Sequence, residues 1–128
     1  MAELVTLSEI EAAAERLRGV TVITPLLSFG PVRPDGSADA YLKPESLQPI
    51  GSFKLRGAYN AISQLGPDQR ARGVVAHSSG NHAQGVARAA RMLGVRATIV
   101  MPSDASAMKV ERTRADGAEI VMVGPGSE

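Results

Sequence analysis

Apolar positions follow helical spacing at the start of the chain and a mixed helix-and-strand rhythm from its middle onward. Ile10, Ala13, Ala14 and Leu17 lay one stripe along a helix. Ser8 and Glu11 have the spacing of a capping box ahead of that stripe, and Gly19 marks its stop. Residues 20–43 then lose periodicity. "TVITPLLSF" reads as extended, "RPDGSAD" as a turn and "AYLK" as a short strand.

Beyond Pro49 the pattern alternates. A helix is predicted from about Ser52 to Leu65, ending at "GPD", followed by the strand "GVVAH" over 73–77. "SSG" leads into a helix from about Asn81 to Leu93, with Gly94 as its C-cap. The strand "RATIVM" (96–101), a helix over about 105–115 and the strand "AEIVMV" (118–123) complete the series. In the helix from Asn81, only Gln84, Arg88 and Arg91 make a polar row, while Ala83, Val86, Ala87, Ala90 and Leu93 line the rest. Short connections between alternating strands and helices predict an open parallel three-layer α/β/α sheet, covered on both faces by right-handed crossovers. The chain ends at "GPGSE", directly after a strand, where such a fold is expected to continue; a truncated C-terminus is the expectation.

Composition narrows the class. At 128 residues, with 44% hydrophobic and 21% charged side chains, the chain has the length and make-up of one globular domain. Lysine plus arginine (14) nearly balance aspartate plus glutamate (13), and the arginines are scattered from Arg16 to Arg114. No basic stripe interleaved with aromatics is present, so nucleic acid is not an expected partner. No apolar run is long enough for a membrane span, and the charged, helical N-terminus does not resemble a signal peptide. The absence of cysteine removes disulfides, thiol nucleophiles and thiolate metal sites. A cytoplasmic protein is expected.

Two stretches carry candidate chemistry. On the helix from Ser52, Leu55, Ala58, Tyr59, Ile62 and Leu65 share a dry face, and Arg56, Asn60, Ser63 and Gln64 a wet one. Lys54 stacks over Ala58, Ala61 and Leu65, so it is expected to border the core while Arg56 faces water. Burial and the positive end of the helix dipole would both disfavour a charged amine there, which predicts a lowered pKa. A neutral, desolvated lysine suits Schiff-base chemistry with a carbonyl compound. The alternative is a snorkelling lysine whose stem packs on the alanines while its head stays wet, and on geometry alone that reading carries more weight.

The second stretch, "HSSGNHAQG" (77–85), lies between the end of a parallel strand and the start of a helix, where ligands of open α/β sheets bind. Ser78, Ser79, Asn81 and His82 surround Gly80 with short polar groups, next to helix N–H groups that attract anions. The bland alternative is that Ser79 or Asn81 caps the helix. His77 and His82 without a nearby carboxylate do not make a metal site, and no metal is expected. Neither G-x-G-x-x-G nor G-x-x-x-x-G-K-[ST] occurs, which disfavours dinucleotide binding.

Together, "KPESLQPIGSFKLRGAYNAI", "HSSGNHAQGVARAARMLGVRATIVMP" and "KVERTRADGAEIV" strongly resemble the serine/threonine dehydratase family of pyridoxal-phosphate enzymes, fold type II, which includes threonine ammonia-lyases and serine racemases. The resemblance runs from about "TPLL" at 24–27 to the end. It implies that Lys54 forms the Schiff base with pyridoxal 5'-phosphate and acts as the base at the substrate Cα. It also implies that Phe53 packs near the pyridine ring and that Asn81 hydrogen-bonds the phenolic oxygen. Ser78, Ser79, Gly80, Asn81 and His82 would hold the substrate carboxylate. The implied reaction eliminates the β-hydroxyl of L-threonine or L-serine, giving 2-oxobutanoate or pyruvate plus ammonia.

Serine at position 79, where some dehydratases have alanine, resembles the racemases, in which the matching hydroxyl delivers a proton to the opposite face; a serine racemase is the alternative. Ile50 stands where many relatives have threonine. The family's glycine-rich phosphate loop, its pyridine-nitrogen partner and the metal carboxylates of some relatives lie beyond the matched region, and "GPG" at 124–126 is too short to replace the loop. Residues 1–48 are accordingly expected to belong to the larger domain and 49–128 to form the smaller one. A full-length protein would be a homo-oligomer. By itself, this chain would on another reading be a catalytically incompetent fragment or a binding module.

Overall fold

The computed structural model describes residues 4–125. Helix α1 spans Leu7–Arg16, and its capping box is formed by Thr6 and Glu9 rather than by Ser8 and Glu11. The Thr6 N–H donates to Glu9 Oε2 (2.7 Å), and the Glu9 N–H donates back to Thr6 Oγ1 (3.3 Å). Both pairs fit the same sequence pattern, so spacing alone does not choose between them. No residue of α1 is buried: Ile10 of the expected stripe is 56% exposed.

Strands β1 (Leu27–Pro31) and β2 (Asp39–Leu42) form an antiparallel hairpin closed by a turn in which the Ser37 N–H donates to Asp35 Oδ1. A 3-10 turn over Glu45–Leu47 leads to α2 (Lys54–Ser63). Helix α3 (Pro67–Arg72) follows where only a break at "GPD" is expected from the sequence. Pro67 at its first position and the Gly66 N–H bonded to Gln69 Oε1 (2.9 Å) are its start signals, but a six-residue helix with only Ala71 apolar after its proline carries no apolar periodicity.

The parallel sheet is made of β3 (Val74–His77), β4 (Ala97–Pro102) and β5 (Glu119–Val123), side by side in chain order. Helix α4 (Asn81–Leu93) connects β3 to β4, and α5 (Ala107–Ala115) connects β4 to β5. Gly94 ends α4 in the left-handed conformation (φ 65°), which costs glycine nothing and any residue with a Cβ about 1 kcal/mol or more.

Right-handed crossovers between strands that lie in sequence order bring both connecting helices to one face. The burial pattern agrees. Val74, Ala76, Ala97, Ile99, Met101 and Ile120 join the core, whereas Val75, His77 and Val121 of the opposite register are exposed. The parallel α/β architecture is as expected, but among the described residues the helices cover one face of the sheet where cover on both was expected, because strands in sequence order put both crossovers on the same side.

Helix α4 is the centre of the molecule. Ala83, Gly85, Ala87, Ala89 and Ala90 give it a thin body, and α2 packs on it more extensively than any other pair of elements does. Leu55, Ala58 and Ile62 of α2 share one core with it, together with the fully buried Ile99 and Met101 of β4. The polar row of α4 is not simply wet: Gln84 is buried, and Arg88 Nε reaches Asp116 Oδ1 at 2.6 Å.

Candidate active site

Lys54 is the first residue of α2, and no side chain caps the N-terminus of that helix. The preceding turn is pinned from below. The Gly51 N–H donates to the Gln48 carbonyl (2.7 Å), Ile50 and Ser52 are buried, and Ser52 Oγ accepts weakly from the Lys54 N–H (3.4 Å). The Lys54 side chain itself is exposed. Its Nζ sits 5.0 Å from the centre of the exposed Phe53 ring and, among the described residues, has no hydrogen bond or ion pair.

This reverses one expectation. Lys54 does not border the core, so the described residues do not supply the desolvation argued from the helical projection. Arg56, expected in water, is instead half-buried. Its Nε and Nη2 donate to Glu45 Oε2 (2.7 Å) and Oε1 (2.9 Å), its Nη1 to Thr21 Oγ1 (3.2 Å), and Nη2 also to the Val22 carbonyl (3.2 Å). The reason is long-range. Residues 21–24 and the 3-10 turn fold over the side of α2 that periodicity assigns to solvent. The Arg56 guanidinium holds the Glu45 carboxyl down to about 2, with a smaller contribution from the Thr24 hydroxyl donating to it at 2.8 Å. Gln48 completes the clamp by accepting from the Val22 N–H and donating to the Val22 carbonyl.

At the other half of the site, the Ser78 N–H donates to the Val100 carbonyl (3.1 Å) and carries the β3 ladder one residue further. The chain then turns, with Ser78 Oγ accepting from the Gly80 N–H (3.2 Å), and α4 begins at Asn81. Gly80 is the N-cap and no side chain bonds the first turn, so neither Ser79 nor Asn81 acts as the cap. The opening N–H groups of α4 therefore lack the partners a capped helix would have. Ser79, Asn81 and His82 are exposed around them, with Ser78 and Gly80 half-buried.

Gly85 brings the two halves together. A Cβ placed there would stand 3.1 Å from the Lys54 carbonyl carbon and oxygen and 3.2 Å from Lys54 Cβ. The absence of a side chain at Gly85 lets the first turn of α2 rest on the first turns of α4 without displacing the Lys54 backbone. Lys54 is thereby held next to the helix whose start carries Ser78–His82. A further residue joins them from α5. Lys109, half-buried, has its Nζ 3.6 Å from the position of a Gly80 Cβ. The stretch "KVERTRADGAEIV" contains this lysine, but nothing local in that sequence distinguishes it from a surface residue. Among the described residues there is no group of three or more histidine, aspartate or glutamate side chains able to hold a metal.

Residues 17–128 match the model of one family, the pyridoxal-phosphate dependent enzymes. The chain is 50% identical over 119 residues to an L-threo-3-hydroxyaspartate ammonia-lyase of a Pseudomonas species, covering 93% of this chain and 37% of that one. It is 46% identical over 121 residues to an L-threonine ammonia-lyase of Thermotoga maritima, covering 94% and 30%. Among solved structures, serine racemase from Dictyostelium discoideum superposes with a TM-score of 0.85 at 36% identity, over 95% of this chain and 40% of that one. The chain thus spans about a third of the length of the curated relatives it matches. A match over most of the chain and a shared fold with the site just described lead to one conclusion: the chain belongs to the pyridoxal-phosphate dependent enzymes, whose cofactor is pyridoxal 5'-phosphate.

Proposed function

We propose that the full-length protein is a pyridoxal-phosphate-dependent ammonia-lyase of β-hydroxy amino acids, converting L-serine or L-threonine to pyruvate or 2-oxobutanoate plus ammonia. L-threo-3-hydroxyaspartate, the compound named for the relative at 50% identity, is a third candidate substrate. The observation that carries this reading is the contact of Gly85 with Lys54. It holds Lys54, whose amine is exposed and unpaired among the described residues, against the first turns of α4, whose N-cap supplies no capping side chain.

The residues present fit the cofactor. Lys54 would hold it through Nζ, the Phe53 ring would lie against its ring, and the Asn81 side chain would donate to its phenolic oxygen. Bound there, the cofactor supplies an electron sink for the bond that breaks at the substrate Cα. Lys54 Nζ would take the Cα proton. The N–H groups opening α4, with the Ser78, Ser79, Asn81 and His82 side chains around Gly80, would bind and orient the substrate carboxylate. Loss of the β-hydroxyl as water, then hydrolysis of the enamine, balances the reaction.

Racemisation is the second reading, favoured by the exposed Ser79 hydroxyl, from which a proton could return to the opposite face of Cα. In the same proposal, residues 1–48 join a larger domain, residues 49–128 form the smaller one, and the full-length protein is a cytoplasmic homo-oligomer. The hairpin β1–β2, which stands outside the parallel sheet, supports that division.

The test takes full-length protein loaded with pyridoxal phosphate and assays 2-oxo acid, ammonia and D-serine from the three substrates. Borohydride reduction and peptide mapping should label Lys54, and Lys54→Ala should bring turnover to the blank. Absence of 2-oxo acid from all three refutes the lyase; D-serine in excess of pyruvate selects the racemase.

A further inference from the structure

We propose that Lys109 is the fixed positive charge that pairs with a carboxylate of the amino-acid substrate at the Ser78–His82 loop; this rests on reading that loop as the substrate loop. Lys109 lies in the first turn of α5, and its backbone is anchored. The fully buried Thr113 donates from Oγ1 to the Lys109 carbonyl at 2.8 Å, and the Lys109 N–H is bonded to the Ser106 carbonyl. The side chain runs to the loop, where Nζ lies 3.6 Å from the place a Gly80 Cβ would occupy. Among the described residues, Nζ makes no hydrogen bond or ion pair. A half-buried ammonium is stabilised by an anion that arrives to meet it.

What is adjacent selects the anion. The Gly80 side of the loop opens onto the uncapped N–H groups of α4, so a carboxylate there would meet backbone donors and an ammonium together. Every candidate substrate carries such a group, and 3-hydroxyaspartate carries two. Lys54 packs against the same helix at Gly85, and Lys109 Nζ lies over its cap, 3.6 Å from where a Gly80 Cβ would stand. One amino acid therefore has its reacting end and its anionic end served from α2 and α5. A cofactor phosphate would be the other anion able to meet Lys109, and the experiment separates the two.

Full-length cofactor-loaded wild type, Lys109→Gln, Lys109→Met (which keeps the stem's packing) and Lys109→Arg are titrated with L-alanine and L-aspartate. These lack the β-hydroxyl and do not eliminate water. Binding is read from the absorbance of the bound cofactor, and pyridoxal-phosphate affinity is measured in parallel. Both neutral variants should raise the amino-acid Kd about tenfold or more, the weight of one charge-assisted hydrogen bond, while Lys109→Arg recovers most of the loss. A rise for both ligands assigns the carboxylate that all substrates share. A rise for L-aspartate alone assigns the second carboxylate; either result upholds the pairing. Amino-acid Kd values within twofold of wild type, or a loss confined to pyridoxal-phosphate affinity, overturn it. Turnover is a separate readout: a wild type that binds both amino acids but makes no 2-oxo acid refutes the lyase reading and leaves the role of Lys109 intact.

Discussion

Glu45 and Arg56 form a two-pronged ion pair near the site, and its consequence is a pH dependence of stability. The folded Glu45 carboxyl titrates at about 2 against an ordinary 4.5. A carboxyl depressed on folding stabilises the protein above its ordinary pKa, and that contribution is lost as pH falls toward the folded value. The full difference would correspond to about 3 kcal/mol. The Arg56 side chain is 32% exposed, so screening reduces this to roughly 1–3 kcal/mol. Glu45→Gln should therefore lose that amount at neutral pH, and its stability should fall less than that of wild type between about pH 5 and pH 2. Denaturant unfolding of full-length protein at several pH values checks this; parallel curves for the two proteins would sink it. The same pair shows where residue-scale reading of the sequence stops. Type and spacing single out Lys54 and the Ser78–His82 loop only as candidates; their chemical roles, and any role for Phe53, come from the family resemblance. That Arg56 is half-buried depends on Thr21, Val22 and Glu45, which lie outside the helix being projected.

Two helical glycines make opposite predictions at the scale of elements. Gly57 in α2 has nothing within 4 Å of a Cβ, so Gly57→Ala should gain up to about 1 kcal/mol from helix propensity. Gly85→Ala would receive the same gain, but its Cβ would press on Lys54 backbone atoms at 3.1 Å, which cannot swing away as a side-chain tip would. Overpacking of this kind costs about 1–3 kcal/mol, so a net loss is expected. The rate of borohydride labelling at Lys54 should fall in Gly85→Ala and hold in Gly57→Ala. Equal stabilisation by both substitutions would mean that α2 does not rest on α4 at this point. Helix α4 was legible to the residue because Gly80 and Gly94 bracket an uninterrupted alanine-rich stretch. Helix α3 was not, because Pro67–Arg72 has a start signal but buries none of its residues.

At the scale of the whole molecule, parallel sheets are normally covered on both faces. Here β3–β5 carry helices on one face and leave Val75 75% exposed, with Val121 and Val123 each 41% exposed. Register puts Val121 beside Val100 and Val100 beside His77, so these side chains form one surface rather than scattered apolar points. More apolar surface lies in residues 22–32, where Ile23 is 93% and Phe29 69% exposed. Strand periodicity over 73–77 and 96–101 could reveal the strands but not which face stays open. The order β3-β4-β5 decides that, and pairing order is a property of the assembled sheet. The consequence is measurable by comparing the 128-residue chain with a longer polypeptide, of the relatives' length, that contains it. The chain alone should bind an apolar dye and self-associate, and Val75→Thr with Val121→Thr should weaken both without changing its helix content. In the longer polypeptide dye binding should be weak, and the same double substitution should instead destabilise, by roughly 1–3 kcal/mol, because it would then remove methyl groups from a packed interface. If the 128-residue chain binds dye no more than the longer one does, the open face is not an apolar surface in solution, and the one-sided sheet would have to be abandoned with it.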